Sequence, residues 1–543
     1  MKCIFTFIAL LCILFSYSQT KLWDGGGGSD NSWTNRFNWV GDIAPGSTDD
    51  ILLDNSVISG SYTVTLPVIS VTVKRLTITP SGENTIRLVI PTANTATPAF
   101  TASGPGYGIL INRGGIFQNS SGLASGTSLV IIADSMRISN GGRYIHNTRS
   151  VHANIIQALS KAQGTENGTV EFDIPSGAGT LSMSNRTYGN LVLSSTAAGG
   201  ARTYVASGSN SLTINGNMTI NAGVTLSVDL STVNGNIIVK GDLIQNGGTL
   251  NLAAGAGNVT ILKVAGNITQ ATAGQITESN TGIPAIELNG VSTQNISLAG
   301  SITNDVGFIV NNPSGATLLS PLSLPYKLIL QRGQLSTFSA NLLTLQSTCT
   351  IQADSLSASF VNGPLRKEGL SSTSRFLFPV GKNNMHRWLE LKNATGIFTV
   401  EYHRETPPYN YAVRSEIDHI SGLEYWTVKA DVSPAPSAIV KLSFDANSGG
   451  ITDLSKLLVT RLSGEIWTSL GNVTTMGTAG TNGSATITIP ISNFNATGDF
   501  FTLATDVSYA NPLPLIDSVR IPQQAAQRNV LLTKLASIAP SII

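Results

Sequence analysis

The sequence of 543 residues is poor in charge, in cysteine and in helix-forming runs. Charged side chains make up 12% and aromatic ones 6%, whereas 41% of the residues are hydrophobic and 54 are glycine. This composition supports a large core but differs from that of a charged cytosolic domain. Runs rich in Ala, Glu, Lys and Leu are nearly absent, and one short helix is predicted at 522–538. We therefore expect an all-β protein.

The first residues are predicted to be a signal peptide, 1–18, because Lys2 precedes an apolar run that ends in small residues. Its removal leaves Cys349 as the last of three cysteines, which excludes an intrachain disulfide. We interpret Cys349 as a small core hydrophobe rather than a nucleophile. Removal of Lys2 also equalises the acidic and basic residues, so electrostatics gives no reason to expect nucleic acid or an anionic membrane as a partner. No other apolar run is long enough to span a bilayer.

A repeat supplies the main indication of the fold. Residues 212–218, 237–243 and 262–268 each alternate apolar and polar side chains and then reach a Gly-Asn, Gly-Asp or similar corner, at a spacing of about 25 residues. Strand repeats of this length are typical of a stacked β-coil, in which each turn buries its inward row against its neighbours. We predict a right-handed parallel β-helix, or solenoid, over 19–365 with on the order of 13 turns. Ile214, Val239 and Val264 are expected to share one buried inward ladder.

The repeat of about 25 residues ends near Gly363, and shorter predicted strands bounded by Gly, Pro or Asn follow. This pattern predicts a β-sandwich over 366–507 and a linker and tail over 508–543. Linkers exposed to protease are expected at 363–374 and after Val507. Trp388, Trp426 and Trp467 are either core residues of the sandwich, which we favour, or platforms on which sugars stack.

An aromatic cap is predicted at 22–55, where three of the six Trp residues lie close together as Trp23, Trp33 and Trp39. A large aromatic lid would cover the open sheet edge at the first turn. The alternative is a calcium site, because hard cations favour clustered carboxylates. Its candidate metal ligands are four aspartates in or beside the glycine-rich segment, Asp24, Asp30, Asp49 and Asp50. We favour the cap, since their spacing matches no known calcium loop.

Several short motifs resemble those of large bacterial surface proteins that leave the cell by the type IX secretion route. They are Phe-Pro-Val-Gly-Lys at 378–382, Gly-Asp-Phe-Phe-Thr-Leu-Ala at 498–504, Asn-Pro-Leu-Pro at 511–514 and the asparagine-rich segment 310–318. The N-terminal cap resembles that of secreted β-helix proteins and, more loosely, the glycine-rich G8 module. The resemblance implies an adhesin-like β-helical stalk at the outer surface of a Gram-negative bacterium. The family's C-terminal sorting domain is not recognisable in 515–543, which predicts another export route or a truncated chain.

The search for a catalytic motif gives few candidates. The five histidines show no zinc-ligand spacing, and no nucleophile elbow, phosphate loop or paired-cysteine motif stands out. Glu401, His403 and Glu405 alternate on one predicted strand, with Asp418 and His419 nearby. This cluster is either an acid-base or metal site or, as we favour, the solvated face of an edge strand. The ionisable candidates for a groove along the solenoid are Lys240, Asp242, Lys263 and Arg332.

Two functions remain open. The first, which we favour, is a non-catalytic secreted or cell-surface protein whose stalk or sandwich binds a glycan, a surface protein or the cell's own matrix. The second is a polysaccharide lyase or glycoside hydrolase that acts in a β-helix groove. The sequence predicts no cofactor beyond the calcium alternative, and it specifies neither the ligand nor the oligomeric state.

Overall fold

The computed structural model describes residues 19–513, apart from 125, 127, 160–166, 183–185, 197–199, 209–210, 231–234, 354–357, 432–437, 473–475 and 509. The predicted signal peptide, the helix at 522–538 and most of the predicted tail lie outside the described residues. The fold is all-β, with a parallel β-solenoid of about 12 turns followed by antiparallel sheets consistent with a sandwich. The chain divides into two compact units, Met1–Ser231 with Ile237–Gly241, and Thr232–Asn236 with Asp242–Ile543.

The first unit contains solenoid turns whose strands pair in parallel with the equivalent strands one turn away. One sheet contains Thr20–Leu22, Asp50–Asp54, Arg75–Thr79, Tyr107–Ile111 and Ser135–Ile138. Another contains Tyr62–Thr65, Ile86–Ile90, Gly115–Asn119, Arg143–His146, Thr169–Phe172, Asn190–Leu193 and Met218–Ile220. Shorter ladders contain Val71–Val73, Phe100–Ala102 and Val130–Ile132; Ala178–Ser182, Arg202–Gly208 and Val224–Leu230; and Arg186–Tyr188, Leu212–Ile214 and Ile237–Val239. One α-helix, Ala153–Leu159, and one 3-10 helix, Arg36–Asn38, interrupt the described strands of this unit.

The second unit begins with three parallel ladders of the same kind. The first contains Leu243–Gln245, Ile268–Gln270, Gln294–Leu298, Ala316–Leu318, Leu335–Ser336, Val361–Asn362 and Val380–Lys382, which pairs antiparallel with Met385–His386. The second contains Thr249–Asn251, Gln275–Thr277 and Ser301–Ile302. The third contains Ile261–Val264, Ala285–Leu288, Gly307–Asn311, Lys327–Arg332 and Thr350–Gln352.

Two sheets of the second unit form the C-terminal part of the fold. One contains Leu322–Leu324, Leu343–Leu345, Leu365–Leu370, Gly396–His403, Tyr425–Ala430, Asp499–Asp506, Leu457–Ser463 and Ile466–Ser469, with Ile417–Ile420 paired to Asp499–Asp506. The other, the five-stranded sheet, contains Arg375–Phe378, Leu389–Lys392, Ile439–Asp445, Asn482–Thr486 and Met476–Thr478. Two 3-10 helices, Ala446–Ser448 and Leu454–Lys456, lie in the connections.

The predicted linker at 363–374 is wrong for its first part, because Leu365–Leu370 is a strand shared by both architectures. Leu365 pairs in parallel with Leu343 of the solenoid and antiparallel with Val400 of the next sheet. The Lys367 ammonium is buried and donates to the carbonyls of Gln346 and Ser347 at 2.6 and 2.9 Å. The residues 365–367 therefore have ladder partners on both sides and are not an exposed connection, whereas Ser371, Ser372 and Thr373 lie in an exposed turn within the predicted range.

The inward positions of the solenoid are occupied by apolar side chains, as the alternation predicts. Ile214, Val239 and Val264 are each 0% exposed. Ile214 lies opposite Val239 in the first unit, and Val264 lies opposite Leu288 in the second. Each such side chain contributes about 1.5–3 kcal/mol of burial free energy, so repeated inward rows stabilise the coils.

The glycines at the corners between strands, such as Gly216, are required by close packing against the neighbouring turn. A Cβ atom at Gly216 would lie 2.2 Å from the Asn190 side-chain oxygen, one turn away. That same oxygen accepts a hydrogen bond from the backbone N–H of Asn217 at 2.8 Å. In the second unit, Asp242 accepts from the N–H of Asn267 in the same way at 2.7 Å. Glycine is therefore needed because a polar side chain of the neighbouring turn approaches the backbone closely.

The three N-terminal tryptophans pack together over the first turn, as expected for an aromatic cap. Trp23 and Trp33 each meet Trp39 edge-to-face, with ring centroids 5.1 and 4.9 Å apart. All three are buried, and the Trp39 indole donates to the Trp33 carbonyl at 2.8 Å. The N–H of Trp33 donates to the carbonyl of Thr65 on the first turn at 2.9 Å. Their burial shields the first inward row from water.

Cys349 is free and 2% exposed. Burial raises the pKa of its thiol to about 11, so the thiol stays protonated at neutral pH and packs as a small apolar group. In the part of the chain that the structure describes, no helix has the length and apolar character needed to cross a membrane.

Candidate functional site

Three of the four aspartates of the calcium alternative serve separate local turns, and Asp50 lies on the strand Asp50–Asp54. Asp24 accepts from the N–H of Gly26, and Asp30 accepts from the N–H of Ser32 and from the Asn35 amide. Asp49 accepts from the N–H of Gly46, and Asp50 lies 3.7 Å from the Lys74 ammonium. Among the described residues, no three acidic, histidine or cysteine side chains are grouped so that they could hold a metal ion. Asp24, Asp30 and Asp49 thus hold loops of the cap in place.

The groove candidates on the solenoid are spread over separate pairs. Lys240 donates to the Asn215 side chain at 2.8 Å, and Asp242 accepts from the N–H of Asn267, as described above. The Lys263 ammonium lies 3.6 Å from Glu287, and Arg332 donates through Nε to Asn311 at 2.7 Å. Each residue has a neighbour one turn away, which indicates a role in fixing the register of the coils.

Glu401 and His403 share one strand face, as the alternation predicts, whereas Glu405 lies in a bend just after the strand and still approaches His403. His403 lies 3.9 Å from Glu401 and 3.8 Å from Glu405, and it stacks on Tyr425 with ring centroids 4.5 Å apart. Its Nε2 lies 3.1 Å from the Thr427 hydroxyl. The strand is not an edge strand, as the sequence interpretation had it, because Gly396–His403 lies between Leu365–Leu370 and Tyr425–Ala430.

Burial sets the protonation of this cluster. It lowers the pKa of His403 to about 4, with the Lys382 charge acting in the same direction and Glu405 opposing it. Burial also raises the pKa of Glu401, against the effect of Lys382 and with that of Glu405. His403 is therefore neutral at pH 7 and cannot act there as an imidazolium acid. Asp418 and His419 form a separate pair, 2.5 Å apart, in which His419 also meets the Pro512 carbonyl at 2.8 Å.

The three sandwich tryptophans differ in their exposure. Trp426 and Trp467 are 0% exposed, and their indole N–H groups donate to the carbonyls of Arg387 and Pro408 at 2.9 Å each. These two are core residues, as expected. Trp388 is only partly buried, and its ring lines a cleft on the outer face of the five-stranded sheet. For Trp388, the core interpretation that we favoured is not supported.

This cleft, which we call the sandwich groove, has a volume of about 750 Å³. The strands beneath it bury Leu389, Leu391 and Leu442 on the inner face, so the alternate residues point outward. Two cross-strand rows result. Ser443 lies opposite Ser484, which lies opposite Met476, and in the next row Glu390 lies opposite Lys441. Met476 is 62% exposed at the open side.

Each carboxylate that lines the groove is held by an arginine. Glu390 accepts from Arg375 Nε at 2.6 Å, and Asp445 accepts from both terminal nitrogens of Arg387. Burial raises the pKa of Asp445, but the Arg387 hydrogen bonds and charge and the bonds from Asn447 outweigh this and hold it below its ordinary value. Asp445 is therefore ionised at neutral pH and unsuited to act as a general acid, which needs a raised pKa.

The groove contains one cation without an ion pair among the described residues and, beneath it, one buried hydroxyl. The Lys441 ammonium lies 5.7 Å from the centre of the Trp388 ring and 3.7 Å from the Met476 sulfur, and it makes no ion pair with the residues that the structure describes. The Ser443 side chain is 4% exposed, and its hydroxyl has no hydrogen-bond partner among them. Lys441 is therefore the group that the groove offers to a ligand, because the Ser443 oxygen is buried.

The sequence pointed to Trp388 but gave no indication that Lys441, Ser443 and Met476 lie beside it. Lys441, Ser443 and Met476 come together through antiparallel pairing of strands that are distant in sequence. Strand register of this kind cannot be obtained from spacing alone. The outward alternation of Lys441 and Ser443 around buried Leu442 was the one local sign that they share a face.

Comparison with known protein families, with curated proteins and with solved structures finds no match. The structure shows an all-β protein with a parallel solenoid, and a polar groove with one tryptophan on an antiparallel sheet.

Proposed function

We propose that this chain is a non-catalytic secreted or cell-surface protein whose solenoid forms a right-handed stalk and whose sandwich groove binds a glycan. The observation that carries the proposal is the groove itself: a partly exposed Trp388 ring beside Lys441, and two arginine-bound carboxylates. Sugars bind through stacking of their C–H faces on aromatic rings and through several hydrogen bonds at their hydroxyl groups.

Export to the surface of a Gram-negative bacterium is part of the proposal and is supported by the sequence alone. The leader-like residues 1–18 and the motifs shared with type IX-exported proteins support this assignment. A role in adhesion or in a surface matrix follows from a rigid stalk joined to a binding site, since neighbouring turns of a solenoid stiffen one another.

A direct test is to expose the purified protein to a panel of neutral and acidic polysaccharides. Binding is measured on immobilised glycans, and new reducing ends are assayed with and without calcium. The proposal expects binding to at least one glycan and no new reducing ends. Release of reducing ends would favour the polysaccharide lyase or hydrolase, and absence of binding to all members would contradict the glycan-binding role.

A further inference from the structure

A second cleft in the same compact unit meets the sandwich groove. It has a volume of about 570 Å³ and runs along the flank of the solenoid, lined by residues 313–317, 331–334 and 358–359 and by Asn384. Ala358 and Asn384 also line the sandwich groove. The two clefts therefore adjoin at these residues, and we call the pair the extended cleft.

A short hairpin fixes the junction of the two parts. Gly381 pairs with His386 and Lys382 with Met385, and the intervening Asn383 and Asn384 have φ values of 52° and 61°. Asparagine is one of the few residues that adopt this left-handed backbone readily. The Asn384 side-chain oxygen accepts from the Gln334 amide at 2.7 Å, which ties the hairpin to the solenoid flank. A ligand that crosses the junction would thus meet a fixed polar surface.

The charges of the extended cleft do not balance. Glu390 and Asp445 are each bound by an arginine, and no acidic side chain among the described residues lines the solenoid part. By contrast, Arg332 in the solenoid part and Lys441 in the sandwich groove make no ion pair with the described residues. Arg332 uses Nε on Asn311 at 2.7 Å, which holds its guanidinium in place. Both parts of the cleft therefore offer a cation to a ligand.

We propose that the extended cleft binds an acidic polysaccharide, with one sugar ring against Trp388 and anionic groups of the polymer on Lys441 and Arg332. This inference rests on the proposed function and specifies its ligand. An oligomer is required because a monosaccharide cannot reach both parts of a cleft that crosses the Asn384 hairpin. Carboxylate and sulfate groups share the required chemistry, since both accept charge-assisted hydrogen bonds.

The test compares polygalacturonate with its methyl ester, which has the same backbone without the charge. Wild-type protein should bind the acid more tightly than the ester, and the affinity should rise with oligomer length and fall with added salt. Lys441→Gln and Arg332→Gln should each weaken binding of the acid roughly two- to fivefold, as expected for one solvent-accessible charge pair. The double variant should lose about the product of the two factors.

Lys429→Gln is the matched control. It removes the same charge from an exposed lysine of the sandwich that pairs with Asp431 outside the cleft, and it should bind as wild type does. Equal melting temperatures for all variants would show that the folds are intact. Competition between polygalacturonate and dextran sulfate shows whether the cleft prefers carboxylate or sulfate groups. If neither polyanion binds, the inference is wrong.

The outcomes separate the two proposals. If the acid and the ester bind equally well and both need Trp388, the proposal of an acidic ligand is wrong, while the glycan-binding function stands. Wild-type affinity in both Lys441→Gln and Arg332→Gln would have the same consequence. Absence of binding to every glycan would overturn both proposals.

Discussion

Arg387 and Glu424 form an ion pair inside the sandwich, with Nε and Oε2 3.1 Å apart and the two side chains 1% and 0% exposed. The same carboxylate oxygen accepts from the Tyr402 hydroxyl at 2.7 Å, while the terminal nitrogens of Arg387 bind Asp445. The network thus connects the buried core with a carboxylate at the wall of the sandwich groove. Removing one charge would leave its partners uncompensated in a medium where charge is costly.

Arg387→Met should therefore destabilise the protein by about 3–5 kcal/mol, because Glu424 and Asp445 lose their main cation. Thermal and urea unfolding of the variant measure the loss. Arg113→Met is the control, since the exposed Arg113 side chain pairs with exposed Glu83 and should contribute little. Similar losses in both variants would show that the buried network has no special role.

The register of the first unit is tested by Val239→Asp. The new carboxylate would lie in the inward row beside Ile214, where it has no partner, and should cost roughly 3 kcal/mol or more. Ile238→Asp places the same group on the outward side of the strand and should cost much less. Equal melting curves for the two variants would mean that the inward and outward positions are assigned wrongly.

Acid should weaken the sandwich through His403. Its folded-state pKa is about 4 against an ordinary value of 6.5, so between these values the unfolded chain binds more protons. The contribution of neutral His403 to the free energy of unfolding is complete above pH 6.5 and falls as the pH drops towards 4. It amounts to at most about 3 kcal/mol. His403→Gln should flatten this part of the stability profile. A profile with the wild-type slope would contradict the assignment.

The junction between solenoid and sandwich should resist trypsin, although it contains Arg366 and Lys367 in succession. Lys367 is 5% exposed, and the strand that carries it is hydrogen-bonded on both edges. Native digestion should therefore leave this site intact, while denatured protein is cut there. An early native fragment that ends at Lys367 would show that the shared strand opens.

The solenoid was predictable because one physical requirement, an apolar inward row, repeats along the chain and is visible at Ile214, Val239 and Val264. The cap was predictable from the grouping of Trp23, Trp33 and Trp39. The shared strand at 365–370 was not, because pairing on two edges leaves no mark on composition. The groove was missed for a similar reason: the partner of Trp388 is Lys441, and only the register of two antiparallel strands brings them together.

The central claim is that the sandwich groove binds a glycan through Trp388. The most direct measurement is a calorimetric titration of wild type, Trp388→Ala and Tyr411→Ala with a glycan that the panel identifies. Tyr411 is the control, since it is 76% exposed and lies outside the groove. We predict that Trp388→Ala weakens binding roughly tenfold while Tyr411→Ala leaves it unchanged. Unchanged affinity in Trp388→Ala, with the fold intact, would contradict the account.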